Sequence, residues 1–186
     1  MNRLAILTLT ILCLVRTPAP AEEDDYPCRI LGLFQADCVD DLREVTKKVS
    51  GLALVTADHK TGTATFRLDA AKVFPDAKSP EQILETLRSK LNGESQGVFQ
   101  TYPLSTLPRE KLTEVKIPIA GLDCKGCSYG AYLAVCKIDG VENAIVSFKE
   151  GLVTAWIDPS KTDRATLEEA LTKRGVTLKE DGKLES

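Results

Sequence analysis

The second half of this chain repeats the first. At an offset of 89 residues, Ile30 falls on Ile119, Gly32-Leu33 on Gly121-Leu122 and Cys38 on Cys127. Lys48, Gly51, Lys60, Gly62, Thr65 and Asp69 then fall on Lys137, Gly140, Lys149, Gly151, Thr154 and Asp158. Ten of the 40 positions from Ile30 to Asp69 are identical, where unrelated sequences of ordinary composition would share about two or three. The offset slips to 84 where Ile83 and Leu87 meet Leu167 and Leu171, so the first copy carries five extra residues around Val73–Lys78. A duplicated unit must bury an apolar face of its own, and its glycines punctuate both copies at the same turns.

Each copy spells the same order of elements. Alternating apolar residues predict opening strands over Tyr26–Leu31 and Glu114–Ala120, followed by helices over Val39–Val49 and Ser128–Ile138. Hairpins come next, with turns at Lys60-Thr61-Gly62 and Lys149-Glu150-Gly151. Ser79-Pro80-Glu81-Gln82 reads as a capping box with proline at the first helical position. In the second copy Thr162 or Asp163 can cap a helix over Arg164–Lys173, which Gly175 ends. Closing strands are expected over Gly97–Leu104 and Val176–Leu184. The unit is βαββαβ, so the expected fold class is α+β: two ferredoxin-like sandwiches in tandem, each with two helices on one face of an antiparallel sheet. The implied boundaries are 22–104 for the first unit, 105–112 for a linker containing Pro108, and 113–186 for the second. So short a linker predicts that the units touch.

Residues 1–21 read as a cleaved export signal. Arg3 opens it, Leu4 to Val15 is apolar, and Ala19-Pro20-Ala21 offers a small-residue cleavage site after Ala21. The apolar run is short for a bilayer span and no other stretch could serve, so no membrane span is expected after cleavage. Leu12 precedes Cys13, where lipidation wants a small residue. The location implied is periplasmic or secreted. Loss of Arg3 and Arg16 leaves 22 basic residues (24 less 2) against 27 acidic ones, a net charge of about −5. With no basic run longer than a pair, nucleic acid is not expected as a partner. Five cysteines remain, at 28, 38, 124, 127 and 136. An odd number in an exported chain leaves at least one thiol free, metal-bound or paired between molecules.

The chemistry concentrates in Gly121-Leu122-Asp123-Cys124-Lys125-Gly126-Cys127, at a strand-to-helix turn. Two thiols three positions apart can converge on one soft metal ion, and the same pair can close into a disulfide. Cys127 falls at the start of a helix, where unsatisfied N–H groups favour the thiolate. Lys125 and the Lys173-Arg174 pair are expected to add positive potential, which would offset the net −1 of two thiolates around a monovalent ion. Two thiolates without His or Met suit Cu(I) or Hg(II). Met1 is the only methionine, so a Met-rich copper site is excluded.

The second copy resembles the heavy-metal-associated domain family, which includes copper chaperones, the amino-terminal modules of metal P-type ATPases and the periplasmic mercury-binding protein. The resemblance rests on the cysteine loop, on Asp139-Gly140-Val141 after the first helix and on the hairpin through Gly151, and it covers residues 113–182. It implies that Cys124 and Cys127 are the ligands of one metal ion per chain, with Leu122 in place of the usual Met beneath the loop. Family members with an Asp before the first cysteine handle zinc, cadmium or lead, so Asp123 is a candidate third ligand. The first copy resembles the same fold but departs at its site. Cys38 holds the second ligand position and Gln35 stands where the first cysteine should be, so this copy is expected not to bind metal.

The implied activity is not enzymatic: the protein would hold a soft ion and pass it by ligand exchange to a metal-transporting membrane protein or another metallochaperone. Two other readings remain open, a redox-active thiol-disulfide protein and a protein-interaction module. Cys28 aligns with Ile117 and reads as a small buried hydrophobe. Cys136 reads as a half-exposed helix residue, and His59 as a solvated turn residue. Trp156 is expected on the open face of its sheet, opposite Ile145, against the first copy. Val176 stands where many family members carry an aromatic residue beside the loop.

Overall fold

The computed structural model describes residues 24–77, 79–105, 107–120 and 122–179; the expected signal segment 1–21, Gly121 and residues 180–184 of the last expected strand lie outside them. Two four-stranded antiparallel sheets form, and they share one topology. The first runs β2-β3-β1-β4 and the second β6-β7-β5-β8. The first copy comprises β1 (Asp24–Leu31), α1 (Cys38–Lys47), β2 (Leu52–Asp58), β3 (Thr63–Leu68), α2 (Ala70–Val73), α3 (Pro80–Glu94) and β4 (Gln100–Tyr102). The second comprises β5 (Thr113–Ala120), α4 (Lys125–Cys136), β6 (Val141–Ser147), β7 (Leu152–Ile157), α5 (Arg164–Lys173) and β8 (Thr177–Leu178). A single 3-10 turn, Arg109–Lys111, lies between the copies. The α+β class and the doubled βαββαβ order are thus as the repeat implied, with α2 added at the insertion. No helix among the described residues is long and apolar enough to cross a membrane.

Period-two burial drives each sheet. Cys28 and Ile30 of β1, and Val115, Ile117 and Ile119 of β5, turn inward onto helices whose apolar faces supply Leu42, Leu87 and Leu91 in one copy and Val135, Leu167 and Leu171 in the other. The helix starts follow capping chemistry. Ser79 accepts from the Gln82 N–H with Pro80 behind it, and Asp163, not Thr162, accepts from the Thr166 N–H. The closing strand of the first copy is shorter than Gly97–Leu104. The chain turns at Gln96 and Gly97, both at positive φ, and Pro103 has no N–H with which to extend the ladder. Trp156 pairs with Asn143 and not with Ile145, because the hairpin closes with Ser147 opposite Leu152 and that register carries Ile145 to Thr154; beyond the Asn143–Trp156 pair, a bulge between Val141 and Asn143 leaves Glu142 out of the ladder. The insertion also hides an anchor that periodicity did not reveal, Phe74, buried behind α2.

The two copies do touch, and their buried residues form one apolar cluster. The loop after β1 seats on α4: Phe34 is 2% exposed, with its ring centroid 5.6 Å from that of Tyr129 and 5.4 Å from that of Tyr132. The Gly32 N–H donates to the Tyr132 hydroxyl at 2.9 Å. The Val146 N–H, on the outer edge of edge strand β6, donates to the Phe34 carbonyl at 3.0 Å, which covers part of an otherwise open strand edge. Farther along that edge, the Asn143 amide donates to the Lys60 carbonyl at 3.1 Å, and the bulged Glu142 forms an ion pair with Arg29.

Gly32 enables this docking. Its φ is +105°, and an added Cβ would lie 2.5 Å from the Val98 carbonyl oxygen and 2.7 Å from the Phe99 ring. Gly32→Ala is therefore expected to lose about 2 kcal/mol or more, read as a lower denaturant midpoint; an unchanged midpoint would refute this account of the turn. Phe34→Ala should cost about 3 kcal/mol by emptying the seat on α4. It should also speed hydrogen exchange at the Val146 amide, and protection there equal to that of the unmodified protein would contradict the docking.

Candidate metal centre

The loop before α4 places both cysteines by backbone chemistry. The helix begins at Lys125, three residues earlier than the sequence suggested, because Cys124 is its N-cap: the Cys124 sulfur accepts the Cys127 N–H at 3.1 Å. Sulfur thus takes the place of a serine or aspartate oxygen, and the first-turn N–H groups point at it. Cys127 follows at the third helical position, with Cα 5.2 Å from that of Cys124, and the two are paired as a disulfide. Asp123 comes to the same place, its Oδ1 3.6 Å from the Cys127 sulfur. One donor atom from each of Asp123, Cys124 and Cys127 lies within 4.8 Å of the others, and among the described residues this is the only group of three or more such donors. Asp123 and Cys124 are exposed and Cys127 partly so. Leu122 is half-buried against the core beneath them.

The same position in the first copy lacks that cap. With Gln35 in place of the first cysteine, the Cys38 N–H bonds the Gln35 backbone carbonyl at 3.2 Å, and α1 starts only at Cys38. Cys38 is 1% exposed, and burial pushes its thiol up to about 11. A buried, protonated sulfur is a poor ligand. Cys28 is wholly buried and is pushed up to about 12 by the same cause. Cys136, half-buried at the end of α4, is likewise pushed up to about 12, chiefly by burial; it is unpaired. His59 sits half-buried at its turn, outside any cluster of three donors among the described residues.

The charges differ from the expectation. Lys125 turns toward the first copy and pairs with Asp37 at 2.7 Å and Asp41 at 2.6 Å. Hydrogen bonds to these two carboxylates raise its pKa above the ordinary lysine value. Asp37 is itself held low: desolvation opposes this, but the Lys125 hydrogen bond and charge outweigh it. Lys173 pairs with Glu169 at 2.7 Å, and the Arg174 guanidinium lies over Gly130 of α4. Lys125 and Lys173 are therefore committed to carboxylates, for Lys125 a tertiary outcome with no local signal in the sequence, whereas Arg174 lies against α4 one turn beyond Cys127. Trp156 is half-buried and faces the junction, with the Arg109 guanidinium 4.8 Å above its ring. It lines a cavity of about 250 Å³ with Arg29, Thr63 and Leu107. Val176 is buried and leaves the loop without an aromatic neighbour at that position.

No family model matches the chain. It is 33% identical over 85 residues to the mercuric transport protein periplasmic component of Shewanella putrefaciens, using 45% of its own length and covering 91% of that protein. It is 23% identical over 171 residues to copper-transporting ATPase 1 of Rattus norvegicus, which takes in 86% of this chain but only 12% of the ATPase. Among solved structures, the N-terminal soluble domains of Bacillus subtilis CopA match at 20% identity and a TM-score of 0.35, over 90% of this chain and 100% of that one. Oxidized MerP from Ralstonia metallidurans CH34 matches at 24% identity and the same TM-score, over 37% of this chain and 94% of that one. With one residue in three shared along nine-tenths of the Shewanella protein, and with paired cysteines on a strand-to-helix loop of a βαββαβ unit, the chain belongs to the heavy-metal-associated domain family.

Proposed function

We propose that this protein is an exported soft-metal carrier that holds one ion between the Cys124 and Cys127 thiolates and passes it on by ligand exchange. The observation that carries this reading is the open cluster of Asp123, Cys124 and Cys127 at the capped start of α4. The Cys124 sulfur accepts an N–H from the helix that it begins, a contact that would favour a thiolate once the disulfide is reduced. Two protein sulfurs leave the coordination sphere of Cu(I) or Hg(II) open to an incoming thiolate, and Asp123 can complete a three-ligand set for Zn(II) or Cd(II). Delivery then needs no release of free ion. The receiving partner would be a metal-transporting membrane protein or another metallochaperone. The similarity to a periplasmic mercuric transport component supports a soft ion and a periplasmic location; cleavage after Ala21 is part of the same proposal.

On this reading residues 22–104 are a copy without a metal site, 105–112 a linker and 113–186 the working copy. None of the steps is catalytic; the residues bind and exchange. A second reading rests on the disulfide between Cys124 and Cys127. The pair would serve as a redox couple, gaining two electrons and two protons from an external dithiol to open and returning them to close.

The deciding experiment titrates the fully reduced protein with Cu(I), Hg(II) and Zn(II). One equivalent bound by the unmodified protein and none by Cys124→Ser or Cys127→Ser is expected; retention of the ion by Cys124→Ser would refute the ligand assignment, and no binding of any ion would leave the redox reading. Thiol burial adds an independent check. At about pH 8, Cys124 and Cys127 of the reduced protein should be alkylated at least about tenfold faster than Cys28, Cys38 and Cys136, whose thiols burial keeps protonated. Uniform labelling would contradict that burial.

A further inference from the structure

The acidic start of α1 and the metal loop of the second copy meet in one charge cluster. Lys125 stands between the two cysteines, yet its ammonium bonds Asp37 and Asp41 at 2.7 and 2.6 Å. One cation shared by two carboxylates makes a cluster of net charge −1, where the lone lysine would have contributed +1. Asp123 and two thiolates add −3. These groups together carry about four negative charges, which the Arg174 guanidinium against Gly130 reduces to about three, and Asp37 and Asp41 of the other copy supply two of the negative groups.

Resting on the reading of Cys124 and Cys127 as ligands, we infer that Asp37 and Asp41 of the metal-less copy set the ion preference of the working copy, biasing it toward divalent over monovalent soft ions. The physical reason is that a fixed potential acts on an ion in proportion to its charge, so a nearby surplus of negative charge helps M(II) twice as much as M(I). The first copy is thus a specificity element without being a ligand. Its geometry suits the role: Phe34 and Gly32 clamp the loop beside α1 onto α4, and both carboxylates bond the ammonium of Lys125, the residue next to Cys124. The two aspartates act through Lys125 and the local potential, so they are positioning residues.

The test compares Zn(II) and Cu(I) affinities of the full-length reduced protein, each measured by competition with a chelator, before and after Asp37→Asn/Asp41→Asn. At low ionic strength the ratio of Zn(II) to Cu(I) affinity should fall by about threefold, the order expected for two exposed charges removed beside a site, while Asp37→Glu/Asp41→Glu should keep it. Raising the salt should move the unmodified protein toward the ratio of the Asn variant. Two further measurements exclude structural explanations. Hydrogen exchange at the Gly32 and Val146 amides, both bonded across the junction, should stay slow in the Asn variant. Glu44→Gln/Glu85→Gln removes two charges that pair with Lys47 and Arg88 of the same copy instead, and it should leave the ratio unchanged. An unchanged ratio in Asp37→Asn/Asp41→Asn would overturn the inference, and so would an equal shift in the charge-matched control. If the unmodified protein binds neither ion, the ligand reading fails instead, an outcome visibly different from two ions bound at an unaltered ratio.

Discussion

The seating of Phe34 between Tyr129 and Tyr132 is the contact on which the arrangement of the two copies depends. A ring buried to 2% exposure removes enough apolar surface to contribute about 2 to 3 kcal/mol, and the aromatic geometry adds somewhat more. The polar contacts around it supply direction rather than most of the energy. The Gly32 N–H and the Phe34 carbonyl would both be costly to bury unpaired. They find the Tyr132 hydroxyl and the Val146 N–H, each from the other copy. Burial in turn keeps the Tyr132 hydroxyl protonated, its pKa well above the usual phenol value, so it remains neutral at the junction across the physiological range.

Comparison of the copies position by position explains why they diverged. Phe34 of the first stands where Asp123 stands in the second, and Gln35 stands at Cys124. Tyr129 and Tyr132 of α4 replace Asp40 and Arg43 of α1, which pair with each other on the exposed face of that helix. In one copy the loop became apolar and the helix face charged; in the other the loop stayed polar and the helix face became aromatic. An apolar loop can seat on an aromatic helix face, and the reciprocal pair of surfaces cannot do so. The duplication therefore docks in one direction, with the first copy's loop covered and the second copy's loop open. The missing first cysteine at Gln35 and the interface at Phe34 sit side by side in the same loop.

Much of this was legible in the sequence. Glycines at matching turns announced the repeat, and the order of periodicities gave the sandwich. Ser79 and Asp163 marked helix starts because oxygen caps are a familiar local signal. What was hidden is physically of another kind. Cys124 acts as a helix cap through sulfur, so α4 begins at Lys125 and not at Ser128. The bulge at Glu142 cannot be seen from alternation, since one extra residue only shows once the partner strand is in place. That bulge leaves Glu142 out of the ladder, where it meets Arg29, while the turn between Ser147 and Leu152 sets the Asn143–Trp156 pair. The partner of Lys125 was out of reach for the same reason: Asp37 and Asp41 are 88 and 84 residues away in the chain.

Helix α4 links these elements because it does two jobs at different places. Its first turn carries the cysteines, and the face one to two turns later carries the tyrosines that grip the first copy. A helix is stiff over such a length, so a change at the grip displaces the N-terminal N–H groups that stabilise the Cys124 sulfur. The proposed ion site and the docking surface therefore share one rigid body, with Lys125 as a second, electrostatic link between them. On the proposed function, the first copy then has a physical reason to persist: it fixes the helix that presents Cys124 and Cys127 while leaving their loop exposed.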